Sequence, residues 1–370
     1  MKILHIHPTL AGGGIEAMVC GLANEMAERG EDVTVCSLFE PKETDVFWAK
    51  LSHKVKKVSL GKAKPGFSPG MLFKIAALLR RERYDVVNLH GFFYYYMLAV
   101  VWLYRRTRFF YTIHSDAAKE NGSWDRRFFP LKRFCFKHKW MRPITISPVS
   151  QDSFYGLYRC ESDLIYNGVS CPKESVETMD GPVRGGEVEG WRVTPATKVF
   201  IHAGRIDTPK NQEVLCRVFH RLIDEGQDVV LLIAGSRQRE DIFERIEPFF
   251  SSRIVYLGER RDVPSLMAQC DGMCMPSIWE GLPVTLLEAL SVGCIPVCSP
   301  VGGIVNVVRD SENGILSTDS SEESYYVAMK RCLSMNNQEQ LAMRHACHSY
   351  FETFDIRHTA AEYLKAYHMQ

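Results

Sequence analysis

Short apolar runs suited to strands alternate with helical patterns along this chain, and they do so twice, with a pause between the two series. Lys2–Ile6, Asp32–Ser37, Val55–Leu60, Asp85–His90, Arg108–His114 and Arg142–Ser147 are the first set of strand candidates, with helical stretches such as Ile15–Arg29 and Pro69–Arg83 between them. Such alternation predicts a parallel sheet covered by helices on both faces. The rhythm stops between 170 and 196, where Gly, Pro and charged residues mark a linker or surface loop. It restarts with Lys198–Gly204, Val229–Gly235, Ile254–Leu257, Gly272–Pro276 and Ile295–Ser299. The expected fold class is therefore α/β, with two Rossmann-like domains at 1–169 and 197–348 whose parallel sheets face a central cleft. An amphipathic tail within 349–370 is expected to cross back to the first domain. In open sheets of this kind, ligands sit at the carboxyl ends of the strands.

Composition narrows the function classes. A chain of 370 residues can build two cores, and a net charge of +1 gives no reason to expect a nucleic-acid partner. The twelve cysteines are scattered without a Cys-x-x-Cys pair, which reads as free thiols in a reducing cytosol and no metal cluster. The longest apolar run, Gly91–Tyr104, is shorter than the ~20 residues of a membrane span. It is expected to form a buried helix. Met1–Ile6 reads as a first strand rather than a signal peptide, so the protein is expected to be soluble or peripheral.

Three motifs carry chemistry. Glu280 and Glu288 stand with seven residues between them in Trp279-Glu280-Gly281-Leu282-Pro283-Val284-Thr285-Leu286-Leu287-Glu288. Pro283 suits the first position of a helix, which puts Glu280 in the loop ahead and Glu288 about a turn and a half in. The free N–H groups between them favour phosphate. Diphosphate donors flanked by carboxylate acceptors fit a nucleotide-sugar; two solvated acids on a capped helix are the alternative. A second motif, Gly12-Gly13-Gly14-Ile15-Glu16, is a glycine-rich turn into a helix that lets backbone approach a phosphate or sugar. It lacks the dinucleotide spacing, which disfavours a dehydrogenase. In the third, a strand ends at Gly204-Arg205 and Lys210 follows at a helix start; two such cations can neutralise a diphosphate or simply be solvated.

The order of these motifs resembles the retaining glycosyltransferases of family four, which have the GT-B fold. The resemblance spans nearly the whole chain and includes Asn167-Gly168-Val169, Ala234-Gly235, Tyr256-Leu257-Gly258 and Gly293 with Pro296-Val297. It implies that Arg205 and Lys210 stabilise the departing diphosphate, helped by backbone around Gly281, Leu282, Val284, Thr285 and Gly235. It further implies that Glu280 holds donor-sugar hydroxyls, Glu288 the ribose, and Gly13 and Gly14 the phosphates. His114 matches a histidine near the transferred sugar, with a hydrogen-bonded strand-end histidine as the other reading. His90 and Glu16 are acceptor-side candidates, His90 standing equally well as loop support. One departure is Leu282-Pro283, where many family members have an aromatic residue and a glycine; Pro283 has no N–H to give.

No Asp-x-Asp occurs, so no metal or other cofactor is expected and the leaving charge falls to the cations and a helix end. The expected reaction is front-face transfer of a hexose-type sugar from a nucleotide-sugar, UDP by base rate, to a glycan or polyprenyl-linked acceptor. The kind of pathway implied is assembly of bacterial cell-surface glycans such as lipopolysaccharide or capsule. The cationic, aromatic stretch Arg126–Trp140 suits either an anionic membrane surface or a solvated helix face. The expected location is the cytoplasm, with peripheral contact at the inner face of the membrane. Alternatives are a GT-B epimerase, an inverting transferase, and a non-catalytic nucleotide-sugar-binding protein.

Overall fold

The computed structural model describes residues 1–43, 45–91, 94–117, 125–170 and 181–369. The chain divides into two units, 1–170 with 354–370, and 171–353.

The first unit holds seven strands, β1 (Lys2–His7), β2 (Asp32–Phe39), β3 (Lys56–Lys62), β4 (Val86–His90), β5 (Arg108–Ile113), β6 (Arg142–Thr145) and β7 (Asp163–Leu164). They form one sheet in the order β3-β2-β1-β4-β5-β6-β7, with every pairing parallel. Both faces are covered, which is why these strands read as nearly unbroken apolar runs. The helix Gly14–Glu28 buries Met18, Val19, Leu22, Ala23 and Met26 on one side, a helical spacing that sets its packing face. Ser147 caps the helix Pro148–Tyr158 reciprocally with Ser150, and Pro148 opens it, so its start is set locally.

The helix Ile356–His368 also belongs to this unit. Its entry is pinned by backbone bonds from Val169 N to Phe354 O and from Ile356 N to Val169 O, each 3.0 Å. Gly168 permits the approach, since a Cβ there would lie 2.4 Å from Thr359 Oγ1 and 2.9 Å from Ile356 Cα. Tyr363 and Tyr367 are fully buried, and Tyr367 Oη accepts from Asn88 Nδ2 on β4 at 2.8 Å.

The run Gly91–Tyr104 departs from the expected buried helix. Among its described residues only Tyr94–Leu98 is helical, and turns follow that leave Trp102 56% and Leu103 61% exposed. Residues 92–93 lie outside the described residues.

The second unit repeats the winding with β8 (Lys198–Ala203), β9 (Val229–Ala234), β10 (Ile254–Gly258), β11 (Gly272–Met275), β12 (Ile295–Cys298) and β13 (Ile315–Leu316), in the order β10-β9-β8-β11-β12-β13. The helix Gln212–Asp224 buries Leu215, Val218, Phe219 and Leu222 in this unit's core. Phe219 alone contributes ~2–3 kcal/mol by burial, and cutting it to Ala would cost ~3–5 kcal/mol once the cavity is included. Arg344 is buried and spends its guanidinium on the carbonyls of Gly293, Cys270 and Asp271, fastening the start of β11 to the turn before β12. Of the stretch 170–196, residues 171–180 lie outside the described residues. Its second half is packed rather than loose. Glu187–Trp191 forms a 3-10 turn, Val188 is buried, and Arg192 pairs with Asp271 at 2.8 Å. All eleven described cysteines are free thiols.

Candidate active site

In both sheets the winding direction reverses between two central strands, β1 and β4 in the first, β8 and β11 in the second. The carboxyl ends at such a reversal splay apart and leave a crevice for ligands. The expected site residues sit at these reversals or after the carboxyl end of the neighbouring strand, as His114 does after β5 and Gly235 after β9.

In the second unit β8 runs into Gly204-Arg205, and a 3-10 turn at Thr208–Lys210 follows, capped by the Asp207 side chain accepting from Thr208 N. His202, one turn of backbone earlier, is buried and donates Nδ1–H to Cys274 O at 2.9 Å, tying β8 to β11. Burial lowers its pKa to about 4, so the ring is neutral and its Nε2 can accept from Gln212 Nε2 at 3.2 Å. The same Gln212 amide lies 2.7 Å from Arg205 O. Asn211, in a left-handed conformation, donates to Pro276 O at 3.1 Å, and Ile278 N donates to Pro209 O at 2.8 Å. These bonds hold the two strand ends together.

Lys210 and Glu280 meet there. Lys210 Nζ lies 2.6 Å from Glu280 Oε1, and Ser277 Oγ donates to the same oxygen at 2.7 Å. The lysine side chain is 19% exposed and the glutamate 10%, a setting drier than an ordinary surface ion pair. Among the described residues Glu280 Oε2 has no hydrogen bond, so it can accept from a hydroxyl. Arg205 is exposed and joins no ion pair among the described residues.

The helix after Glu280 runs Val284–Ser291, with Pro283 as its cap rather than its first residue. Pro283 has extended backbone at ψ 121, and its carbonyl takes the N–H of Leu286 at 3.1 Å. The amides of Val284 and Thr285 make no intrahelical bond and are the donors at this end. Leu282 and Val284 have buried side chains, so only their backbone can face a ligand. Glu288 is half-buried in the second turn.

Two glycine positions absent from the sequence-based set hold the Glu280 loop. Gly302 has φ +54, and a Cβ there would lie 1.8 Å from Glu280 O. Gly303 N donates to Gly281 O at 2.7 Å, and its own Cβ would meet that oxygen at 2.1 Å. Gly235, expected at the donor, is pressed on the turn after β8, where a Cβ would lie 1.9 Å from Gly204 O. Its place is explained by backbone packing.

In the first unit β1 ends at His7, and the helix begins at Gly14 after the turn through Gly12 and Gly13. Gly13 and Gly14 are exposed, and the Glu16 carboxylate lies over Gly13, with Oε2 2.6 Å from where a Cβ would be. His7 was not in the sequence-based set. It donates Nδ1–H to Thr9 O; burial lowers its pKa, and the Glu16 charge opposes that shift.

His90 and His114 are joined in a chain of three buried imidazoles. His5 Nδ1 is 3.0 Å from His90 Nε2, and His90 Nδ1 is 3.0 Å from His114 Nε2. Parallel register explains the alignment, because His5 pairs with Asn88 across β1–β4 and His90 with Thr112 across β4–β5. Burial lowers the pKa of His5 and of His114 to about 3, and that of His90 well below its ordinary value. His90, expected on the acceptor side, is fully buried and spends both ring nitrogens inside the unit. Its place is therefore support.

The basic aromatic stretch is also redistributed. Lys132 is buried, its ammonium over the rings of Tyr111 and Tyr158, and Arg133 donates to Tyr158 O. Leu131, Phe134, Lys137, Lys139 and Trp140 remain outward; the side chains of Arg126 and Arg127 lie outside the described residues. No helix among the described residues is long and apolar enough to cross a membrane.

Two family models match this chain, "Glycosyltransferase Family 4" over residues 12–172 and "Glycosyl transferases group 1" over residues 197–335. A glycosyltransferase of Methanocaldococcus jannaschii is 22% identical over 99% of this chain and 98% of its own length. The UDP-Gal:alpha-D-GlcNAc-diphosphoundecaprenol alpha-1,3-galactosyltransferase of Escherichia coli is 24% identical over 54% of this chain and 48% of its own. Among solved structures, HepE of Anabaena in complex with UDP and glucose superposes with a TM-score of 0.78 at 18% identity, covering 99% of both chains.

Proposed function

The chain belongs to the family-four glycosyltransferases and has the GT-B fold, and from that premise we propose that it is a retaining, metal-independent enzyme using a UDP-hexose. The acceptor is a hydroxyl of a glycan or polyprenyl-linked glycan, in the assembly of a cell-surface polymer such as lipopolysaccharide or capsule. The Lys210–Glu280 pair beside a helix N-terminus carries this reading. An arriving diphosphate gives Lys210 a second anion, with Arg205 and the amides of Val284 and Thr285 as further positive groups. Glu280, fixed by Ser277, uses its open oxygen for a sugar hydroxyl, and Glu288 takes the ribose. As the bond from the sugar C1 to the phosphate oxygen breaks, the acceptor oxygen bonds C1 from the same face and its proton passes to the departing phosphate. Preorganised positive groups lower this barrier because they need not reorganise as charge develops.

A product assay with the purified full chain tests the proposal. UDP-hexoses are offered with a polyprenyl-diphosphate-linked sugar acceptor, with and without EDTA, and the anomer formed is read by proton NMR. An α-linked product from an α-linked donor, unchanged by EDTA, is expected. A β-linked product overturns retention, loss of turnover in EDTA overturns metal independence, and transfer only from ADP- or GDP-sugars overturns the base assignment.

A membrane-facing role is favoured by Leu131, Phe134 and Trp140, apolar groups exposed next to Lys137 and Lys139. Such a surface suits an anionic bilayer, which supports a location at the inner face of the cell membrane. Co-sedimentation with phosphatidylglycerol vesicles at low salt is expected, and no binding under those conditions refutes it.

A further inference from the structure

We propose that His7 is an acceptor-binding residue, whose Nε2 lone pair and the neighbouring Glu16 carboxylate take hydrogen bonds from hydroxyls of the acceptor sugar. His7 is the last residue of β1, and the first sheet reverses its winding between β1 and β4. The chain after it is fixed, since Pro8 O receives the N–H of Phe39 and the hydroxyl of Ser37, each at 3.1 Å. The ring is 6% exposed, and its Nδ1 is bonded to Thr9 O. A carbonyl oxygen only accepts, so Nδ1 carries the proton. Burial disfavours a second proton, which leaves a lone pair on Nε2. That nitrogen makes no hydrogen bond among the described residues, although polar atoms at this depth normally have a partner.

Nε2 looks across the reversal. Gly91 follows β4 with φ +90, and a Cβ there would stand 3.8 Å from Nε2 and 3.9 Å from Cδ2 of His7. A side chain at that position would cover this edge of the ring; the glycine leaves it open. Glu16 is close enough for its charge to act on His7, and its carboxylate makes no hydrogen bond or ion pair among the described residues. The neighbouring rings of His90 and His114 are held neutral by burial. His7 and Glu16 thus present two hydrogen-bond acceptors, one of them charged. A ligand suited to them brings protons and no negative charge, which describes the hydroxyls of a sugar rather than a phosphate.

The identity of the ligand rests on the proposed transferase function, and two substitutions that split the imidazole test the role of His7. In His7→Asn the amide nitrogen stands where Nδ1 was and keeps the bond to Thr9 O, but nothing replaces Nε2. In His7→Gln the longer side chain carries an amide oxygen to about the place of Nε2 and gives up the bond to Thr9. With a UDP-hexose and the polyprenyl-diphosphate-linked sugar, His7→Asn is expected to raise the acceptor KM about tenfold and leave the donor KM within about threefold. His7→Gln is expected to keep both within about threefold. The opposite order would show that His7 only braces Thr9, and it would overturn the inference. The ring is also read without turnover, from long-range proton–nitrogen correlations of the full chain labelled with nitrogen-15 histidine. Nδ1–H and a bare Nε2 are expected at His7, with the Nε2 resonance moving when the same acceptor is added. A proton on Nε2, or a resonance unmoved by acceptor, overturns the inference even where transfer is seen. A shift without transfer supports it and overturns the transferase function instead.

Discussion

Replacing Gly302 by alanine tests whether the Glu280 loop depends on backbone contact. The added methyl would stand 1.8 Å from Glu280 O, where real contacts do not fall below 3.0 Å. One loop must therefore move by more than about 1 Å, and displacements of about that size cost ~100-fold in rate when they misplace a group at the reacting centre. The left-handed φ of +54 adds ~1–2 kcal/mol of strain for any residue with a Cβ. For a unit of this size each kcal/mol lowers the unfolding midpoint by ~2–4 °C, so a modest thermal shift should accompany a large kinetic one. Steady-state turnover of a UDP-hexose, with calorimetry on the same samples, separates the two. Turnover within threefold of the parent would refute the argument, because Glu280 would then not depend on the packing of Gly302.

Lys210→Met should lower kcat/KM by about 100-fold, the usual loss for one preorganised charge contact, in an assay at saturating acceptor. Gly235→Ala, which drives a methyl into Gly204 O, should disturb the turn carrying Arg205 and raise the donor KM in the same assay. Stability should fall as pH drops below 6.5. Unfolded histidine binds its proton near 6.5, whereas folded His202 does so only at about 4 and His5 and His114 at about 3. The unfolded state thus holds more protons throughout that window, and urea unfolding at pH 5 should give a smaller free energy than at pH 7. Equal values would contradict the buried neutral histidines.

The longer parallel strands were legible because burial on both faces leaves almost continuous apolar runs, as in Val229–Ala234. The strands β7 and β13 are two residues each and leave no periodic signal. The aromatic run Gly91–Tyr104 misled because apolar content alone does not distinguish a buried helix from turns that expose Trp102 and Leu103. In the site, Glu280 and Lys210 were visible as charged residues next to strand ends. Their ion pair follows from β8 and β11 being neighbours, a long-range fact of sheet order. His5, His90 and His114 were each readable as strand residues, but their chain depends on register across three strands. The Gly302-Gly303 pair has its own sequence signal, two glycines just after β12 in the position of another strand-end turn.

The placement of the helix Ile356–His368 in the first unit has a consequence for how the molecule is made. A ribosome releases Met1–Ser170 before residues 171–353, yet the tyrosines that close over Asn88 and Thr112 emerge only after both. Residues 171–353 can fold as a body of their own while the first sheet still waits with an uncovered apolar face. A free chain truncated after residue 353 should therefore be protease-sensitive within 1–170 and resistant within 181–353.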